Sequence, residues 1–140
     1  MVLSPLAARW YTVEHDPEWA EKVRREAPSA RVFHVPAEVP NPRRPSVESE
    51  WMSYIQAPWR FRGNVFDLAL IDGRARPECA VAILPFLASG GVVVVHDWHD
   101  RLRPHYRRIL EKFELVESVA VVDRKRYGAG LAVFKPKGAA

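Results

Sequence analysis

A chain of 140 residues, 48% hydrophobic and 27% charged, has the size and balance of one globular domain with a real core. This excludes a disordered or low-complexity polypeptide, and the single cysteine, Cys79, excludes an internal disulfide. The net charge of +4 is modest, and its local clusters (Arg43-Arg44, Arg101–Arg108, Arg124–Arg126) are not gathered as the footprint of a nucleic-acid binder requires, so nucleic acid is not an expected partner.

No apolar run approaches the ~20 residues of a membrane span, so no membrane association is expected. The opening MVLSPLAARW lacks a basic region before its apolar residues, which argues against a signal peptide. A cytoplasmic, reducing setting fits the lone thiol, which is expected to be buried and inert.

In chain order, residues 1–8 are a short, mobile lead. Trp10–Glu14 is apolar and β-prone and predicts a strand. Asp16 then reads as a helix N-cap, Pro17 as the first helical residue, and Glu18 as a charge suited to the helix N-terminus. Trp19, Ala20, Val23 and Ala27 give that helix an apolar face, and Pro28 stops it. Arg31–Val35 predicts a second strand, ended by Pro36. Residues 39–46 hold three prolines and two arginines and predict a mobile loop. Val47, Trp51, Tyr54 and Ile55 recur at helical spacing, and residues 57–64 form a connector.

The stretch from Val65 to His99 organises the rest. Phe66–Ile71 and Val92–Val95 are unbroken, β-branched apolar runs, which predicts strands buried on both faces of a parallel sheet. Cys79, Ala80, Ile83, Leu84 and Leu87 recur at helical spacing between them, and Ser89-Gly90-Gly91 is expected to break that helix. The unit is β-α-β. Its strands end in Asp72 and in His96-Asp97, and ligands of open α/β sheets bind beyond the carboxyl ends of the strands. Asp72 and Asp97 should therefore lie side by side on the functional edge. A helix over roughly 104–113 follows, with His105, Tyr106, Ile109, Leu110 and Phe113 on its inner face. Leu115–Val122 and Ala129–Lys135 then read as a hairpin, and residues 136–140 as a fraying tail. The whole chain reads as one domain, residues 1–140, with a Rossmann-like, mostly parallel α/β sheet flanked by helices and closed by an antiparallel hairpin.

Three stretches in this order resemble class I S-adenosylmethionine-dependent methyltransferases, closest to the small-molecule O-methyltransferase-like branch. YTVEHDPEW resembles the end of that family's second strand, FDLALIDGRAR its fourth strand, and LASGGVVVVHDW the entry to its fifth. The resemblance covers Trp10 to Lys135. It implies methyl transfer from S-adenosylmethionine to a small-molecule acceptor, with oxygen favoured over nitrogen. It also implies that Glu14 accepts hydrogen bonds from the cofactor's ribose, that Pro36 and Ala37 lie along its adenine, and that Asp72 contacts cofactor or substrate. His96, Asp97 or His99 would serve as the base, and Arg74, Arg76 and Trp98 would face the substrate.

One part of the family pattern is missing. The family's first strand ends in a glycine-rich loop that wraps the cofactor's methionine, whereas the first glycine here is Gly63. In the family's sheet order, 3-2-1-4-5-7-6, the strand not matched is the central one. The reading is of a truncated methyltransferase domain in which strand two pairs directly with strand four or an open seam remains. Such a seam would favour self-association. The alternative is a non-catalytic association module, or a fragment completed by a partner. In the metal-dependent O-methyltransferases a pair such as Asp72 and Asp97 helps hold Mg²⁺. The branch's next oxygen ligand is Trp98 here, which counts against a metal.

Overall fold

The computed structural model describes residues 7–38, 50–98, 104–123 and 126–138. The chain divides into two compact units, Met1–Ala57 and Pro58–Ala140. The expected 39–46 loop lies outside the described residues.

The first unit is a β-α-β turn of chain. Strand β1, Tyr11–Glu14, runs parallel to β2, Arg31–His34, with Tyr11 opposite Arg31 and Glu14 opposite His34. Helix α1, Pro17–Glu26, connects them. Its start follows the sequence rule: Asp16 Oδ1 accepts from the backbone N–H of Glu18 (2.9 Å) and Trp19 (3.0 Å). Such a cap stabilises by about 1 kcal/mol. Ala20 and Ala27 are buried, but Trp19 is 54% exposed and carries Lys22 over its ring rather than joining the apolar face. The predicted helix through Val47–Ile55 is shorter among the described residues: α2 is Met52–Ile55, followed by a 3₁₀ turn, Ala57–Phe61.

The second unit is a four-stranded sheet of order β3-β4-β6-β5. Strand β3, Phe66–Ile71, pairs parallel with β4, Leu87–Trp98. Strand β6, Arg126–Pro136, pairs antiparallel with both β4 and β5, Phe113–Asp123. Helix α3, Arg76–Ile83, makes the β3–β4 crossover, and α4, Arg107–Lys112, precedes β5. The core lies on one face of the sheet, where Val93, Val95, Ala132 and Phe134 meet Ala80, Ile83 and Ile109 of the helices. The hairpin is longer than predicted. Pro136 belongs to β6, and Lys137 N–H donates to Lys112 O at 2.9 Å, so the expected fraying does not start at residue 136.

Four local expectations are corrected. Ser89-Gly90-Gly91 does not end the helix, which passes into a 3₁₀ turn, Leu84–Phe86, and then directly into β4. The glycines lie within β4, where the ladder jumps from Phe66 opposite Leu87 to Leu68 opposite Val92. Gly90 has φ +78°, and a Cβ on Gly91 would sit 2.9 Å from the carbonyl oxygens of Ala88 and Phe66. Backbone demand, not helix breaking, explains this pair. Second, β3 is not buried on both faces: Leu68 is 48% and Leu70 39% exposed. It is the edge strand of its sheet, and its outer side has no ladder partner among the described residues. Third, of the two alternatives left open for strand two, direct pairing of β1 with β3 is not found among the described residues; each belongs to its own sheet. Fourth, His105 is exposed, while Tyr106, Ile109 and Phe113 are buried as predicted. Among the described residues, the order β1-β2 within the first unit and the order β3-β4-β6-β5 within the second are each a part of the family order named above.

Candidate functional site

Register brings Asp72 and His96 together. Ile71 is opposite Val95 in the β3–β4 ladder, so the next residues, Asp72 and His96, leave the sheet side by side. His96 Nδ1 is 2.8 Å from Asp72 Oδ1 and 3.3 Å from Asp97 Oδ1. Both contacts are within ion-pair reach, yet neither is in line for a hydrogen bond, and Nδ1 is buried. The ring as a whole is half-exposed.

Asp97 reaches His96 because the chain bends there. The β4–β6 register shifts between His96 and Trp98, and Asp97 takes φ +57°. Aspartate tolerates this left-handed conformation better than most residues. The bend aims Oδ2 at Arg76, whose Nη2 donates at 2.8 Å.

Arg76 is held on several sides. Its Nη2 also donates to Asp72 O at 3.4 Å, and its Nη1 reaches Tyr106 Oη at 3.5 Å. Burial pulls its pKa down, but the Tyr106 hydroxyl and the Asp97 carboxylate outweigh that and raise it above the ordinary arginine value. Arg76 thus stays charged and braces Asp97; the structure spends it inside the cluster rather than at a substrate mouth. Ala75, just before it, has φ +46°, a second left-handed residue beside the same cluster. Two left-handed residues, Ala75 and Asp97, thus border the same cluster at one sheet edge.

The other predicted residues of this unit separate. Arg74 is exposed, and its carbonyl accepts from Cys79 Sγ at 3.5 Å. Trp98 is 4% exposed and packs against Tyr106 and Phe134 at 5.1 Å, so it is a core residue with no face open to a substrate. Cys79, expected to be buried, is half-buried, and desolvation pushes its thiol up to about 12. His99 lies outside the described residues. Tyr106 is the residue that sequence reasoning missed. Its helical spacing marked it as core, which it is, but nothing in the pattern tells that its hydroxyl meets Arg76.

In the first unit, Glu14 ends β1 as predicted. Its Oε1 accepts from the backbone N–H of His15 (2.7 Å) and Asp16 (3.0 Å). That fixes the carboxylate at the end of the strand. His15 is met edge-on by Trp51 at 5.1 Å and Tyr54 at 5.9 Å, and its carbonyl faces His34 Nε2 at 3.1 Å. This aromatic cluster is the second feature not foreseen; the placement of His15 directly after Glu14 was its only signal. Pro36 is exposed and Ala37 half-buried, just past β2. Beyond them Glu38 Oε1 accepts from Ser53 N–H at 2.6 Å, and its own N–H donates to Glu50 O at 3.1 Å. The Ser53 bonds hold the Glu38 carboxyl below its ordinary value.

Asp72, His96 and Asp97 offer three ligand atoms within 4.8 Å of one another. The set does not suit Mg²⁺, which takes oxygen ligands in near-octahedral order. One donor is an imidazole nitrogen, and the Arg76 guanidinium already occupies Asp97.

No family model matches the chain, and no curated protein matches it significantly. Solved structures do. The N-methyltransferase NodS from Bradyrhizobium japonicum matches with a TM-score of 0.64 at 13% identity, over 96% of this chain and 76% of that one. NodS has also been solved with S-adenosyl-L-homocysteine, and that structure matches with a TM-score of 0.63 at 12% identity over 96% and 70% of the two chains. A TehB-like S-adenosylmethionine-dependent methyltransferase from Corynebacterium glutamicum matches with a TM-score of 0.60 at 16% identity, over 96% and 72%. No helix among the described residues is long and apolar enough to cross a membrane.

Proposed function

We propose that this chain, which has the class I S-adenosylmethionine-dependent methyltransferase fold of those structures, methylates an oxygen of a small molecule. The observation that carries the reading is His96 braced against Asp72 at 2.8 Å, on the sheet edge where β3 and β4 end.

The first unit fits the adenosine end of the cofactor. A carboxylate can accept both ribose hydroxyls, and the backbone bonds to Glu14 Oε1 that orient its side chain support that role. Pro36 and Ala37 follow β2, where an adenine would lie. When bound, S-adenosylmethionine supplies an electrophilic methyl group. This chain's own residues do the rest. His96 takes the acceptor's hydroxyl proton at Nε2. Asp72 and Asp97 stabilise the resulting imidazolium from the Nδ1 side. Arg76 holds Asp97 in place and keeps the pair of carboxylates from repelling each other. No metal is needed for these steps, and the cytoplasm supplies the cofactor.

The test is transfer of labelled methyl from S-adenosylmethionine to a panel of small phenols and alcohols. The parent chain should label an acceptor, and His96→Ala should lose a factor of about 10² or more. Equal labelling by both would remove His96 from the chemistry.

A second reading is favoured by one observation, the exposed Leu68 and Leu70 on the free edge strand β3. An edge of this kind pairs readily with another chain. In this reading the fold serves association with a second copy. Sedimentation velocity would show concentration-dependent dimers that Leu68→Lys abolishes.

A further inference from the structure

Tyr106 stands just ahead of α4 and is buried. Its hydroxyl is the one acceptor that Arg76 Nη1 meets among the described residues, at 3.5 Å. The other contacts of that guanidinium run through Nη2: 2.8 Å to Asp97 Oδ2, 3.4 Å to Asp72 O and 4.0 Å to Asp72 Oδ1. Arg76 Nε is buried and has no hydrogen-bond partner among the described residues. We propose that Tyr106 is a positioning residue of this site: by holding Arg76 Nη1 it keeps the guanidinium on Asp97 and leaves Asp72 to His96. The inference rests on the proton transfer to His96 proposed above and names the residue that sorts the site's two carboxylates.

A guanidinium is a planar fork, so two held nitrogens set its plane, whereas one held nitrogen leaves a pivot. With the Tyr106 hydroxyl in place, Nη1 and Nη2 are both held, and Nη2 sits on Asp97. Without the hydroxyl, every remaining contact runs through Nη2, and the fork is free to turn about it. The next carboxylate oxygen in its reach is Asp72 Oδ1, at 4.0 Å. That same oxygen lies 2.8 Å from His96 Nδ1. Arginine and histidine thus converge on one oxygen, and the ion pair of Arg76 with Asp97 keeps them apart.

Tyr106 is itself fixed. Its ring packs at 5.1 Å against Trp98, the residue after Asp97. Its carbonyl accepts from Ile109 N–H at 2.9 Å and Leu110 N–H at 3.2 Å, which opens α4. Arg108, two residues on, reaches Glu78 of α3 at 3.5 Å, so α4 holds the start of α3 at two points. Tyr106 therefore brackets the left-handed Asp97, with its ring on the following residue and its hydroxyl on the counter-charge. Phenylalanine would supply the ring packing; the hydroxyl adds the hold on Arg76.

The experiment is Tyr106→Phe in the parent chain and in the Arg76→Met and Asp72→Asn backgrounds, with circular dichroism checking that each variant is folded. Two quantities are read: labelled methyl transfer from S-adenosylmethionine, and the imidazole nitrogen resonances of His96 by NMR. In the parent chain, Tyr106→Phe should lower kcat about tenfold, leave KM for cofactor and acceptor within about twofold, and move the His96 resonances. In either background the same change should shift kcat by less than about twofold and leave the resonances in place, because Tyr106 acts through Arg76 on Asp72. A loss of equal size in all three chains would overturn the proposal in favour of a packing role. Parent-like kcat in Tyr106→Phe, or a fall in kcat with unmoved His96 resonances, would overturn it outright. A chain that labels no acceptor overturns the proposed reaction instead. The positioning is then decided by the His96 resonances alone: moved by Tyr106→Phe only where Arg76 and Asp72 are intact, they support it, and unmoved they overturn it.

Discussion

His96 Nδ1 lies 2.8 Å from Asp72 Oδ1, across two neighbouring parallel strands, because Ile71 and Val95 are partners in the ladder one residue earlier. The ring's orientation is thus a consequence of register. Replacing Asp72 by Asn keeps the shape and removes the charge that stabilises the imidazolium in the proposed mechanism. Methyl transfer by Asp72→Asn should fall by about 10-fold to 10³-fold with S-adenosylhomocysteine affinity nearly unchanged, measured by steady-state kinetics and calorimetry on the same preparation.

In the proposed mechanism Arg76 is a positioning residue. Its loss leaves Asp97 beside His96 without a counter-charge and frees a left-handed residue from its anchor. Arg76→Met should lower stability by about 2 kcal/mol, the scale of a charge-assisted hydrogen bond in a partly buried setting. Urea unfolding followed by tryptophan fluorescence checks it.

The two glycines of β4 should separate by mechanism. Gly91→Ala places a methyl 2.9 Å from two carbonyl oxygens, so strand or bulge must shift, at about 1–3 kcal/mol. Gly90→Ala meets open space and suffers only from φ +78°, at about 1–2 kcal/mol. Thermal unfolding of both variants gives the order.

Glu38 has a depressed pKa through its bonds to Ser53, so it contributes stability as the carboxylate. That contribution is complete above the ordinary value of 4.5 and is lost as pH falls through the lower, folded value. Glu38→Gln should therefore narrow the stability difference between pH 7 and pH 3, read from urea midpoints.

Much of this was legible in the sequence where local rules act alone. The Asp16 cap, the β3 run, the inner face of α4 and the carboxyl-end placement of Glu14 and Asp72 each rest on a few adjacent residues. What was missed depends on distant partners. An unbroken apolar run does not tell an inner strand from an edge strand, so the exposure of Leu68 and Leu70 was not foreseen. A Ser-Gly-Gly triplet reads as a helix breaker, but in β4 it serves a close backbone approach and a bulge. Arg76 and Trp98 were taken for substrate contacts by their position after the strands. Which way each points depends on the crossover helix and on the bend at Asp97, and neither leaves a mark in the residue pattern.

The most direct test of the central claim is calorimetric titration of the folded chain with S-adenosylhomocysteine. The account predicts saturable binding at micromolar levels that disappears in Glu14→Ala and survives in His96→Ala. A folded chain that shows no binding, or that binds equally well in Glu14→Ala, would contradict it.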